Sequence, residues 1–164
     1  MVATSDIDII LDDGANRVAI AQNVFVQVRY GEQTETALDL MMATFRARKH
    51  QGQQVYFALF VVEDGAPTAT PAVRKRQTQV IGEVLASGRV HVAAVLEGEG
   101  IMADLKRIAL RALADTRVGI HKNVPDAVRA LVKIPGAPPA SLLTAVVDVA
   151  RDRTRGSRSR MRTP

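Results

Sequence analysis

The sequence predicts a single α/β domain whose mixed, largely parallel central sheet is flanked by helices. Three observations carry this expectation. Strand-like and helix-like segments alternate after two or three opening strands, the order that builds βαβ units. Two runs, 55–62 and 90–96, are apolar on both faces, as strands buried between helical layers must be. Finally, 164 residues with 47% hydrophobic and 24% charged side chains are enough to bury one core and too balanced for a fibrous or wholly disordered chain.

The opening runs, 7–11 and 17–21, are apolar and flank Asp12, Asp13, Gly14, Ala15 and Asn16. Asp-Gly between apolar runs signals a hairpin. Residues 24–30 alternate Val24, Val26, Val28 and Tyr30 on one face with Phe25, Gln27 and Arg29 on the other, and Gly31 ends the strand. From 34 to 49, Ala37, Leu38, Met41, Met42 and Phe45 recur at helical spacing, and Arg46, Arg48, Lys49 and His50 give the basic end that suits a helix C-terminus. The buried strand at 55–62 follows. Pro71 behind Thr70 reads as a first helical residue behind its cap. Val73, Val80, Ile81, Val84 and Leu85 then mark the inner face of a helix ending near Ser87 and Gly88. After the strand at 90–96, residues 101–114 place Ile101, Leu105, Ile108, Ala109 and Leu113 on one helical face. A short strand at 118–120 precedes a helix from about Pro125 that buries Ala127, Val128, Leu131 and Val132.

On this reading residues 1–134 are the α/β domain and 135–140, within KIPGAPPA, a stiff Pro/Gly linker. Residues 141–150 form a short amphipathic helix, with Ser141 as cap and Leu142, Leu143, Val146, Val147 and Ala150 as its stripe. Residues 151–164 read as a disordered arginine-rich tail. That tail holds six arginines and one aspartate, so it carries the whole net charge of +5 and leaves residues 1–150 formally neutral. The basicity therefore argues for no nucleic-acid-binding face on the domain. Arg151, Arg153, Arg155, Arg158, Arg160 and Arg162 are candidates for weak, non-specific, salt-sensitive binding of polyanions. Removing 151–164 is expected to leave the melting temperature unchanged, whereas the helix before it can pack back on the sheet.

The longest apolar stretch, 55–62, is far shorter than the roughly 20 residues of a membrane span. The acidic opening at Asp6 and Asp8 does not read as a secretory leader. The absence of cysteine excludes disulfides, a thiol nucleophile and cysteine-ligated zinc, which fits a cytoplasmic location.

In a parallel α/β sheet the loops after the strands share one rim, where such folds place their sites. Here that rim gathers Glu32, Glu63, Asp64, Glu97 and Glu99. Convergent carboxylates suit a divalent cation or a cationic partner, although acidic residues near helix N-termini also complement the helix dipole, and no D-x-D-x-D-G spacing is present. Arg74, Lys75 and Arg76 run against the dipole in the first turn after Pro71. Either the neighbouring Glu63, Asp64 and Glu97 neutralise them or an anionic partner does. LEGEGIMADLK matches no phosphate-cradling motif. His50, His91 and His121 have no metal-site spacing, and no serine sits in a G-x-S-x-G elbow. No metal or cofactor is expected.

The chain from about 6 to 132 resembles the STAS-like superfamily, typified by anti-sigma-factor antagonists, and in particular its SpoIIAA-like branch. The likeness lies in the opening strands, in VYFALFVV followed by a helix, in RVHVAAVLEGEGIMADLKRIALRAL and in the closing VGIHKNVPDAVRALV. The resemblance implies a regulatory protein-binding module without an active site. Its regulatory members carry a phosphorylatable Ser or Thr in D-[ST]-S-G; this chain departs there, with Thr68 and Thr70 as the nearest hydroxyls. The expected partner surface is Glu63, Asp64, Thr68, Thr70, Arg74, Lys75, Arg76, Glu97 and Glu99. Two alternatives stand beside it. One is a small-ligand or lipid binder with Met41, Met42, Phe45, Phe57 and Phe60 around a cavity. The other is a metal-assisted enzyme using the acidic rim.

Overall fold

A computed structural model of the chain describes residues 6–49, 55–98 and 118–152. Alternation in the opening strands builds an antiparallel meander of β1 (Asp8–Asp12), β2 (Asn16–Ala21) and β3 (Val24–Arg29). The first turn is the Asp-Gly hairpin: Asp13 Oδ1 accepts from the N–H groups of Ala15 and Asn16, and Gly14 takes φ 84°, a value that glycine adopts without a Cβ penalty. Gly31, after β3, passes close beside that turn, where a Cβ would stand 2.9 Å from that of Ala15.

From β3 the sheet turns parallel. Helix α1 (Glu35–Lys49) leads to β4 (Tyr56–Val62), helix α2 (Pro71–Ala86) to β5 (Val90–Leu96), and β6 (Val118–His121) completes a six-stranded sheet in order β1-β2-β3-β4-β5-β6. The β3–β4, β4–β5 and β5–β6 pairs are parallel. The protein is thus an α/β domain with a mixed, mostly parallel sheet and four helices among the described residues. The helix expected at 101–114 lies outside those residues.

Two cores result from the two apolar faces. On one, Leu38, Met42 and Phe45 of α1 and Val73, Val80 and Leu85 of α2 cover Ile20, Phe25, Tyr56, Ala58, Val90 and Val92. Phe25, Phe45 and Tyr56 pack there edge to face, with centroids 5.9–6.4 Å apart. The other face, bearing Val24, Val26, Val28, Phe57, Leu59, Val61, Ala93 and Val95, is covered by α3 (Val124–Leu131) and α4 (Ala140–Arg151).

Helix α4 lies against β2 and β3. Leu142, Leu143 and Val146 are fully buried and Val147 and Ala150 nearly so. The helix read from sequence beyond a linker is therefore part of the core on this face, and it extends through Arg151. Smaller differences have local reasons. Pro139, not Ser141, is the N-cap of α4, and no side chain caps it. Ile81 and Val132, expected inside, are among the exposed large hydrophobic residues, and Val132 follows the last turn of α3. Thr70 does cap α2, accepting from Val73 N–H at 3.3 Å, with Pro71 at the first position.

Truncating Leu142 or Leu143 to alanine should cost about 2–5 kcal/mol, because each leaves a cavity in a closed core. The same change at Ile81, which is 37% exposed, should cost less, about 1 kcal/mol. Chemical denaturation of the three variants checks the contrast.

Candidate functional site: the carboxyl rim of the parallel strands

Alternation carried one step beyond the strands places two carboxylates side by side. Glu63 follows the row Phe57, Leu59, Val61, and Glu97 follows Ala93, Val95, so both project on the face that α4 covers. Their backbones continue the ladder, Glu63 N–H bonding Arg29 O at 3.0 Å and Glu97 N–H bonding Val62 O at 3.0 Å. The cation between them comes from α4. Arg151 Nε donates to Glu63 Oε1 at 2.7 Å, and Nη2 makes an ion pair with Glu97 Oε1 at 2.8 Å.

The balance of charge there is uneven. Burial pushes the Glu63 carboxyl above its ordinary pKa; Arg151 pulls it back only in part, and Glu97 adds to the rise. Burial works against the Arg151 charge too, but Glu97 and Glu63 outweigh it and hold its pKa above the usual arginine value. The backbone end of α4 is fastened to the same place. Tyr30 Oη donates to Arg151 O at 3.1 Å, and the buried Arg17 guanidinium donates to Asp152 O and lies 3.5 Å from Asp12. These donors satisfy carbonyls that a helix C-terminus leaves open, and Arg17 adds a cation where the dipole favours one.

The sequence-predicted residues separate into distinct groups. Glu63 and Glu97 converge, as the rim argument required, but the cation they meet is Arg151 rather than Arg74, Lys75 or Arg76. Arg76 instead turns across to α1, where Nε donates to Asp39 Oδ1 at 2.9 Å. The α1–α2 seam has a second such pair, Arg46 with Glu83 at 2.7 Å. Arg74 and Lys75 stay exposed at the start of α2, with no ion pair among the described residues, and Asp64 and Thr68 are exposed on the preceding loop. Glu32 is exposed, and its carbonyl accepts from Asn16 Nδ2 at 3.0 Å. Glu99, Arg153, Arg155, Arg158, Arg160 and Arg162 lie outside the described residues. Arg151, read as the first residue of the tail, belongs to the helix and the rim, and this changes the expected outcome of removing 151–164.

Among the described residues neither alternative chemistry has its groups assembled. A cation at Glu63 and Glu97 would have to displace the Arg151 guanidinium, and among the described residues no three metal-ligating side chains form a group. Of the residues considered for a ligand cavity, Met42 and Phe45 fill the α1–α2 core, while Phe57 lies on the opposite face, stacked 5.5 Å from His91. The cavity of about 270 Å³ beside β6 is lined by His91, Val92, Gly119, His121, Ala130, Leu131 and Ile134, and includes none of those five residues.

What sequence reading passed over is a buried polar cluster on the α1–α2 side of the same rim: Asn16, Gln27, Arg29 and Gln33. Alternation puts Gln27 and Arg29 on the face of Phe25, opposite the valines, and the structure buries that face as well; the signal in the sequence is an aromatic residue heading a row that continues with two polar ones.

Comparison with family models, with curated proteins and with solved structures found no match for this chain.

Two variants test the rim. Arg151→Met should cost about 1–3 kcal/mol at neutral pH, since it leaves Glu63 and Glu97 adjacent and unneutralised. That cost should shrink on acidification as one carboxyl takes a proton. Glu63→Gln should melt no lower than the parent at pH 7. A carboxyl whose folded pKa is raised binds its proton more tightly folded than unfolded, so its contribution to stability falls as pH rises from 4.5 through the raised folded value. Any advantage of the glutamine should therefore vanish below pH 4.5. Melting temperatures from pH 4 to 8 check both signs.

Proposed function

We propose that the chain is a non-catalytic regulatory binding module of STAS-like type, which docks a protein partner on the loop and first turn that begin α2. The observation that carries this reading is the division of charge at the rim. Glu63 and Glu97 are neutralised from within by Arg151, whereas Arg74 and Lys75 are exposed at the end of a helical first turn that contains no acidic residue and at the start of the next. Two cations beside the positive end of a helix dipole are mutually unfavourable, and an acidic partner surface relieves both terms. Thr68 and Asp64 extend the exposed loop beside them, and Thr70 is committed to its cap. The STAS-like resemblance of residues 6–132 supports the same class of function, with the expected partner surface narrowed to the basic turn and the loop before it. A protein partner of complementary charge is the expected ligand, and a cytoplasmic location suits such a module.

The test is quantitative affinity capture from the native cell with the parent protein, the double variant Arg74→Glu/Lys75→Glu, and Lys133→Glu as a charge-reversal control at another exposed site. Neither variant should be less stable than the parent by more than about 0.5 kcal/mol, because these side chains are on the surface, and the double variant should gain stability because its acidic side chains lie near the positive end of the α2 dipole. A protein captured by the parent and by Lys133→Glu, and reduced at least about tenfold by the double variant, is the expected result. Identical capture by all three would refute the assignment of this surface.

A further inference from the structure

The polar cluster on the α1–α2 side of the rim holds an excess of donors. Gln27 Nε2 donates to Asn16 Oδ1 at 3.1 Å and to Gln33 Oε1 at 2.8 Å. The amide oxygens of Asn16 and Gln33 thus each accept one hydrogen bond from Gln27 and none from Arg29. Asn16 Nδ2 is turned to Glu32 O and to Asp13. Three buried donors then have no acceptor among the described residues: Arg29 Nε, Arg29 Nη1 and Gln33 Nε2. Arg29 is 9% exposed and Gln33 2%. Arg29 is also the cross-strand neighbour of Asn16, and Gln27, two residues before it on the same inward row, bonds Gln33. The donors therefore belong to one patch.

Native proteins rarely bury unpaired polar groups, and a buried charge without a partner is the costliest case. Among the described residues no carboxylate offsets the Arg29 guanidinium; burial alone lowers its pKa. The patch adjoins the N-terminus of α1, where Thr34 Oγ1 already takes the N–H of Ala37. A helix N-terminus, a guanidinium and a free amide N–H₂ together offer an acceptor-only ligand several convergent donors.

We propose that Arg29 and Gln33 form a binding site for a single carboxylate group, which accepts from the guanidinium and from Gln33 Nε2. A monoanion suits the site better than a phosphate dianion, because Glu32 and Glu35 are exposed on the adjoining segment and repel the second charge. The planar fork of the guanidinium matches the two oxygens of a carboxylate. The carboxylate belongs either to a small organic acid or to an acidic side chain. This inference does not depend on the docking surface assigned to Arg74 and Lys75.

Calorimetric and thermal-shift titrations of the full chain test it at fixed ionic strength. The probes are acetate as a free acid, N-acetylglutamate amide as a side-chain mimic, phosphate, and chloride as the control. Saturable binding of either carboxylate, with a rise in melting temperature that chloride does not reproduce, is expected, and which one binds tells the two sources apart. Arg29→Met should weaken that binding at least tenfold while melting, without ligand, at or above the parent's temperature. Gln33→Leu should weaken binding as well. No saturable carboxylate binding, a preference for phosphate, or binding abolished by Arg74→Glu/Lys75→Glu but retained in Arg29→Met would overturn the proposal. So would an Arg29→Met protein that melts several degrees lower or fails to fold, since the guanidinium would then be a structural group.

Discussion

The apolar face of β3 must be covered, and the helix that covers it comes from the last stretch of the described chain. Val24, Val26 and Val28 point away from α1, and the crossover helices α1 and α2 both lie on the other side of the sheet. Among the described residues the chain reaches the open face only after β6, first with α3 over β5 and β6, then with α4 over β2 and β3. Burying side chains such as Leu142, Leu143 and Val146 contributes about 1.5–3 kcal/mol for each. That gain fixes where α4 runs and, with it, where α4 ends.

The end of α4 determines the electrostatics of the rim. A helix C-terminus carries partial negative charge, and this one arrives beside Glu63 and Glu97, so three sources of negative potential meet. The compensating groups are those the packing delivers: Arg151 from the last turn of the helix, Arg17 from β2 and the Tyr30 hydroxyl beyond β3. Each is held by an element already ordered for hydrophobic reasons, so little further entropy is lost in placing it. Burial, not charge pairing, decides the direction at Glu63, as expected where desolvation outweighs the attraction of a partly exposed pair.

Most of the architecture was legible because its signals are periodic. The strands at β2, β3, β4 and β5, the stripe of α1 and the Thr70–Pro71 start of α2 follow from alternation, helical spacing and capping chemistry, which act within a few residues. The place of α4 was less legible. KIPGAPPA reads as a spacer by composition, and nothing local says that the helix after it meets a face left open more than a hundred residues earlier. Arg151 illustrates the same limit: as one of six arginines in a run it looked like tail, and only the packing of Val147 and Ala150 just before it makes it part of the rim. The convergence of Glu63 and Glu97 was within reach, since continuing two strand rows by one residue puts them together; identifying the cation required the return of α4.

Three arginines meet the sheet at this end, and their different fates show what the fold had available. Arg17 and Arg151 lie on the α4 side, where a helix C-terminus and two strand-end carboxylates supply acceptors. Arg29 lies on the α1–α2 side, where the helices present N-termini, which are themselves donors. Its cross-strand neighbour Asn16 has its oxygen taken by Gln27 and its amide engaged with Asp13 and Glu32. The crossover helices α1 and α2 thus put donors on one side of the rim, the return of α4 puts acceptors on the other, and the amide oxygens of Asn16 and Gln33 each already accept from Gln27. A leucine or methionine at this position would extend the apolar row of Phe25 at no such cost. What the guanidinium retains instead is the capacity to receive a negative charge from outside the chain, at a point where the described residues supply none.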